Sequence, residues 1–169
     1  MEKPTHWRDF VPTLMVLVIA FISPYLLPSG MREIAPPLAF AALFYFVRQC
    51  PQLELSVWVV AITGLLLDMQ QAMPIGVGIS ASILLYCLAS WQQQRKELPS
   101  FSSHFAYFFA ISFIIMAWIY GLMSLLHGHL FPLEAPILQW LLLLFSYPLI
   151  YSLCRVTNRE MTATSSARI

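Results

Sequence analysis

The chain has 169 residues, a formal net charge of +1 and a hydrophobic fraction of 59%, whereas soluble domains are about 45–50% apolar. Charged residues make up only 10%, too few to cover a water-soluble particle of this size. No long run of Lys and Arg offers a basic field for nucleic acid. The composition therefore excludes a typical soluble domain and a nucleic-acid-binding protein, and it favours an all-α, polytopic integral membrane protein.

Four apolar segments occupy the first half of the chain. They cover residues 11–27, 36–47, 53–69 and 75–91. The first is too long for a signal-peptide core and lacks a small-residue cleavage site, so we predict that it remains as a membrane helix. The second begins at Pro36 and ends before Arg48. It is short for a span, which leaves open whether it crosses, thins the bilayer or re-enters.

Two longer apolar segments follow a polar loop. The loop covers residues 92–97 and Pro99, and no membrane segment would retain it. The segments cover residues 101–126 and 135–153, and a polar stretch at residues 156–169, rich in Thr and Ser, is predicted to be a disordered cytoplasmic tail. The sequence thus predicts a single six-helix transmembrane domain over residues 1–155.

The positions of Lys and Arg test the number of spans. If all six segments cross, eight of the nine basic residues share one side and only Arg32 lies opposite. If the segment at residues 36–47 dips in and returns, the division is seven to two, with Lys3 and Arg8 in the minority. Basic residues are enriched on the cytoplasmic side, which favours the first arrangement. We therefore predict six spans with both termini in the cytoplasm.

Asp68 is the acidic residue that ends the third segment. A carboxylate costs about 2.5–3.5 kcal/mol at the centre of a membrane helix and less near the interface. In one alternative it accepts backbone N–H groups at the start of segment four, aided by the positive end of that helix. In others it contacts a partner subunit, binds a polar ligand or relays protons. A relay lacks a second buried acid in the sequence.

Small residues recur at spacings of four around the start of segment four, at Ala72, Gly76 and Ser80 and again at Gly78 and Ser82. Such spacing lets membrane helices approach closely, within one chain or between subunits. Gly64 and Gly121 are predicted to be further packing points. Segments three and four are therefore the predicted centre of close helix packing.

Metal-binding and catalytic patterns are weak or missing. His127 and His129 precede Glu134 in a predicted external loop, but no Cys or further acid is near. Solvated or hydrogen-bonded histidines are therefore favoured over a metal site. No phosphate-binding loop, H-E-x-x-H or G-x-S-x-G motif with a matched base occurs, and the spans hold few polar groups. We predict no catalytic residues, no metal and no cofactor.

Residues 64–76 read G-L-L-L-D-M-Q-Q-A-M-P-I-G. This G-x-x-x-D followed by P-x-G resembles the central motif of the rod shape-determining MreD family. The upstream context is similar too, since a proline-led segment ends at Arg48-Gln49-Cys50-Pro51. Chain length and helix count fit throughout, although the part from Phe101 onward contributes hydropathy alone. The positions that match the family motif are Gly64, Asp68, Pro74 and Gly76.

The resemblance implies a non-enzymatic scaffold subunit of the bacterial cell-elongation (rod) complex in the inner membrane. It implies binding to a bitopic MreC-like protein. It also implies a link between the MreB filament and a RodA-type glycosyltransferase with its penicillin-binding transpeptidase partner, which supports peptidoglycan synthesis and rod shape. On this hypothesis a groove around segments three and four holds a partner's transmembrane helix. Its partner-binding or structural residues are Gly64, Asp68, Pro74, Gly76, Gly78 and Ser80.

The same family resembles, in general architecture, the substrate-binding S-components of vitamin transporters. An S-component-like bundle with a ligand pocket is therefore an alternative on fold grounds. In that alternative the chain is a small-molecule-binding component of an uptake transporter. Asp68, with His127 or Glu134, would then recognise a polar ligand from outside.

Overall fold

Six α-helices make up the part of the chain that the computed structural model describes, which is residues 7–25, 35–49, 57–93 and 101–166. The helices are α1 (Trp7–Ile22), α2 (Leu38–Gln49), α3 (Val57–Gln70), α4 (Val77–Gln93), α5 (Phe101–His127) and α6 (Glu134–Ser166). A 3₁₀ turn, Ser23–Tyr25, extends α1. These ranges contain no strand. The predicted all-α fold class is confirmed.

The helix boundaries follow the predicted segments with small shifts. α1 begins at Trp7, four residues before the predicted start. α4 begins at Val77 because the preceding Gly76 has a φ of 111°, which an α-helix cannot include. Residues 26–27 and 53–56 of the predicted segments lie outside the described residues, as does the polar loop from residue 94 onward.

The largest departure from the prediction is the end of α6. The helix continues through Ser166, so the predicted disordered tail is wrong for residues 156–166, and residues 167–169 lie outside the described part. Extending an existing helix adds a hydrogen bond for each residue fixed and needs no new nucleus. No Gly or Pro follows Pro148 in this stretch to end the helix.

α2 lies at the centre of the bundle. It packs against α1, α4, α5 and α6, and every side chain from Leu38 to Val47 is buried. The sequence of this helix is apolar on all sides and carries no charge before Arg48. A helix without a polar face is most stable when other helices enclose it. The segment that is weakest as a membrane span is therefore the core of the fold.

Contacts near both ends show that α2 and α6 run in the same direction. The Gln139 side chain, near the start of α6, donates a 2.8 Å hydrogen bond to the carbonyl of Ala35, just before α2. Farther along both helices, the rings of Tyr45 and Tyr151 meet edge to face at 5.3 Å. Their starts therefore lie at one end of the bundle.

α5 is antiparallel to α6 and α2. The Phe108 ring, early in α5, stacks at 4.1 Å on Tyr147, near the middle of α6. At the other end of α5, the Tyr120 hydroxyl donates to the carbonyl of Phe131, just before α6. The end of α1 lies at the start of α2, because the Ser23 hydroxyl donates a 2.6 Å hydrogen bond to the carbonyl of Pro36.

The outer surface of the bundle is strongly apolar. Two helical stretches, Ser102–His127 and Glu134–Thr157, are long and apolar enough to cross a membrane, and the remaining apolar helices are shorter. Large apolar side chains are exposed on the outside, including Phe145 (79%) and Leu149 (74%) on α6. An apolar surface of this extent favours a lipid or protein environment over water.

Candidate functional site

The residues of the G-x-x-x-D…P-x-G motif form one hairpin, which consists of α3, α4 and the turn between them. α3 ends in a Schellman-type arrangement, in which the Met73 N–H donates a 3.0 Å hydrogen bond to the carbonyl of Asp68. Ala72 lies in the left-handed region with a φ of 49°. Pro74 follows and cannot continue the helix, since it has no N–H. The turn is therefore fixed by backbone conformation.

Asp68 closes this hairpin. Its side chain is 1% exposed. Its Oδ2 accepts a 2.8 Å hydrogen bond from the N–H of Gly76, and its Oδ1 accepts a hydrogen bond from the N–H of Gly78. These are N–H groups at the start of α4, which have no partner within the helix. Asp68 thus caps α4 from the end of α3.

This arrangement corresponds to the capping alternative of the sequence analysis. Gly76, at the N-cap position of α4, has no side chain to do this itself, so the carboxylate eight residues earlier does it. Because both carboxylate oxygens of Asp68 are engaged and the side chain is buried, the geometry does not favour direct contact with a ligand from outside. The acid instead fixes the relative position of α3 and α4.

Gly64 and Gly78 mark the crossing of α3 and α4. A methyl group placed on Gly64 would lie 2.5 Å from the Gly78 carbonyl oxygen and from the Ile79 Cα atom. One placed on Gly78 would lie 2.6 Å from the Gly64 carbonyl oxygen and 2.7 Å from Asp68 Oδ1. The two backbones are therefore in direct contact, and Gly78 also gives the carboxylate access to the backbone of α4.

The predicted stripe of small residues across Ala72, Gly76 and Ser80 is wrong, because α4 begins at Val77 and only Ser80 lies on it. Gly76 has no atom within 4 Å of the position of a side chain, so its role is conformational. Gly121 likewise has open space around it and is not a packing point among the residues that the structure describes.

Ser80 and Ser82 lie in different surroundings on α4. The Ser80 hydroxyl donates to the Val77 carbonyl at 2.8 Å and accepts a 3.3 Å hydrogen bond from the indole N–H of Trp118. Ser80 therefore joins α4 to α5. Ser82 is fully buried, and its hydroxyl has no partner among the described residues. Its small volume suits the inner face of α4.

His127, His129 and Glu134 are exposed around the connection between α5 and α6. The two histidines bind backbone carbonyls through Nδ1. No group of three or more His, Cys, Asp or Glu side chains that could hold a metal ion occurs in the described part of the chain.

An apolar crevice of about 260 Å³ opens between α5 and α6. Its lining residues are Phe113, Met116, Ala117, Tyr120, Leu133, Pro136, Ile137 and Trp140. Sequence reasoning did not identify this crevice, since apolar periodicity does not distinguish residues facing a gap from residues facing lipid. Trp140, one of the lining residues, also joins the two helices, because its indole N–H donates a 3.0 Å hydrogen bond to Ser112 Oγ on α5.

In comparisons with protein-family models, curated proteins and solved structures, no match to this chain was found.

Proposed function

We propose that the chain is a non-enzymatic, six-span scaffold subunit of the bacterial cell-elongation complex, located in the inner membrane with both termini in the cytoplasm. It binds the transmembrane helix of an MreC-like bitopic protein. Through that protein, directly or indirectly, it connects the MreB filament with the RodA-type glycosyltransferase and its transpeptidase partner. The observation that carries the proposal is the hairpin: the four motif residues of the family resemblance, Gly64, Asp68, Pro74 and Gly76, lie together in one closed unit.

The alternating helix directions support six spans. α2 and α6 run in the same direction, and α5 runs in the opposite one, as expected for helices that cross in alternation. α2, at 12 residues, is about 18 Å long, shorter than a hydrocarbon core of about 30 Å. Because the neighbouring helices enclose it, its length need not match the bilayer thickness. This arrangement agrees with the eight-to-one division of basic residues.

We assign the proposed partner site to the outer face of the hairpin rather than to the small residues. Gly64 and Gly78 are in contact with each other and are not open to another helix. On α3, Trp58 (78%), Ile62 and Met69 (71%) are exposed instead. Between membrane helices, van der Waals packing and few polar contacts provide the affinity. A rigid hairpin presenting these apolar side chains is a suitable surface for a partner helix.

The small-molecule-binding alternative gains no support from the geometry. Asp68 is buried with both oxygens bonded to the backbone, so it does not face a ligand from outside. The crevice between α5 and α6 is lined almost entirely by apolar atoms. A ligand site for a polar molecule usually gathers several convergent polar groups.

Site-directed cross-linking in intact bacterial membranes tests the proposed partner site. Single cysteines replace Ile62 or Met69 on the hairpin, or the more exposed Phe145 or Leu149 on α6 as controls, in a background in which the native Cys50, Cys87 and Cys154 are replaced by Ser. A photoactivatable maleimide then captures neighbours. We expect cross-links to a bitopic MreC-like protein from the hairpin positions and several-fold fewer from α6.

Cell shape provides a functional test of the same proposed partner site. Ile62→Arg should give rounded cells while leaving the protein folded and in the membrane, because a charge on the outer face blocks the partner helix. Two results would contradict the proposal. One is capture of the MreC-like protein equally from all four positions or from none, and the other is normal rods with Ile62→Arg.

A further inference from the structure

Two histidines flank the glycine that ends α5. Gly128 has a φ of 68°, and its N–H donates a 3.0 Å hydrogen bond to the carbonyl of Ser124, which is the glycine-dependent way to end a helix. His127 is the last residue of α5 and His129 is the second residue beyond it. The turn at Gly128 thus brings two imidazole rings together at one exposed end of the bundle.

The hydrogen bonds of the two rings define their tautomers. His127 Nδ1 lies 2.9 Å from the carbonyl oxygen of Met123, and His129 Nδ1 lies 3.0 Å from the carbonyl oxygen of His127. A carbonyl oxygen can only accept, so both rings carry a proton on Nδ1. In the neutral imidazoles, each Nε2 therefore has a lone pair. A ring whose Nδ1–H binds a backbone carbonyl is the usual form of a histidine that ligates a metal.

The distance between the rings fits a shared ion. Their centroids are 6.0 Å apart. An ion about 2.0–2.1 Å from each Nε2 lies about 3.2 Å from each ring centre, so two rings that turn their Nε2 atoms toward one ion can share it at centroid separations up to about 6.4 Å. Both side chains are exposed. Phe131 contacts both rings, at 5.2 Å from His127 and 4.5 Å from His129, which limits their rotation.

We propose that His127 and His129 form a two-imidazole site for a divalent late transition-metal ion such as Cu²⁺, Ni²⁺ or Zn²⁺. Imidazole nitrogen suits these ions, and Cu²⁺ binds most tightly in the divalent series. The negative end of α5 favours a cation at this position. Because no third His, Cys, Asp or Glu joins the pair in the described part of the chain, water completes the coordination and the ion exchanges readily.

The experiment uses the full chain in detergent, purified with a tag that contains no histidine. Cu²⁺ alone is titrated, and electron paramagnetic resonance reports the number of coordinating nitrogens. We expect one Cu²⁺ ion per chain, coordinated by two imidazole nitrogens. His127→Gln and His129→Gln should each weaken binding at least tenfold and leave one imidazole nitrogen or none, while glutamine preserves a donor for the backbone carbonyl.

Leu130→Ala is the matched control, because this residue is exposed and lies in the same turn. It should bind Cu²⁺ with unchanged affinity and spectrum. The proposal is overturned if the wild-type chain binds no Cu²⁺ through two imidazole nitrogens, if both glutamine variants bind as the wild type does, or if Leu130→Ala weakens binding as much as they do. Size-exclusion profiles of all variants establish that each is folded, so a loss of binding reports ligation rather than unfolding.

Discussion

The α3–α4 hairpin and the α5–α6 pair join neighbouring helices in different ways. In the hairpin, two backbones touch at Gly64 and Gly78, and a buried carboxylate bridges the helix ends. In the α5–α6 pair, the contacts come from aromatic side chains and one indole-to-hydroxyl hydrogen bond between Trp140 and Ser112, and an apolar crevice remains open. The first contact depends on residue identity at each position, whereas the second is distributed over interchangeable apolar side chains.

This difference indicates where the molecule tolerates change. A contact between two backbones cannot accommodate an added carbon atom unless the helices move apart. Contacts between long side chains adjust through rotamer changes and lose only part of their packing. We therefore expect the hairpin to behave as a rigid unit and the α5–α6 pair to tolerate substitution more readily. This difference can be tested by comparing the loss of stability that substitutions cause in the hairpin and in the α5–α6 pair.

The largest effect is expected for Asp68→Ala. The variant leaves two buried N–H groups without their charged partner, each hydrogen bond contributing about 1.5–3 kcal/mol. We expect the free energy of unfolding to fall by about 3–4 kcal/mol, measured by titration with sodium dodecyl sulfate in mixed micelles. Asp68→Asn keeps one acceptor oxygen and should lose about half as much.

Glu134→Ala is the control for Asp68→Ala, because Glu134 is an exposed acid in the first turn of α6. Its loss should cost at most about 1 kcal/mol, the usual contribution of an exposed charge to a helix end. If the two variants were equally stable, the bridging role of Asp68 would be wrong.

A smaller loss is expected for Gly64→Ala, because the added methyl group meets backbone atoms of α4 at 2.5 Å. The overpacking should cost about 2–3 kcal/mol by the same measurement. Gly121→Ala adds the same methyl group to an open helix surface, where it should be neutral or stabilise by up to about 1 kcal/mol. A similar loss for both variants would contradict this explanation, because Gly121 has open space around it and helical propensity alone favours alanine over glycine.

Much of the fold could be predicted from local sequence. Long apolar segments and the prolines at Pro36 and Pro74 indicate the six helices, because these signals depend on composition and on the missing N–H of proline. The end of α6 could not be predicted, since a polar tail with Thr and Ser reads as disordered while a preceding helix can extend through it. The only sequence signal that other helices enclose α2 was the lack of a polar face on this helix.

The site was predictable in its residues but not in its geometry. The sequence identified Gly64 and Asp68, and it raised capping as one meaning of the acid. The spacing of four between Ala72, Gly76 and Ser80 placed Gly76 in a row of packing residues, because such spacing assumes a continuous helix. The positive φ of Gly76 shows that the helix starts later. Whether a glycine such as Gly121 faces a neighbour or open space depends on tertiary packing, which no local pattern contains.

The smallest effect is expected in the α5–α6 pair. Trp140→Phe removes the indole N–H that binds Ser112 Oγ, while Phe109 and Phe113 still pack on the remaining ring. Ser112→Ala removes the acceptor instead. Polar pairs between membrane helices average about 0.6 kcal/mol, so a double-mutant cycle should give a coupling energy near that value. A coupling as large as the loss in Asp68→Ala would contradict the comparison, because a single polar contact would then hold α5 to α6 as firmly as the buried carboxylate holds α3 to α4.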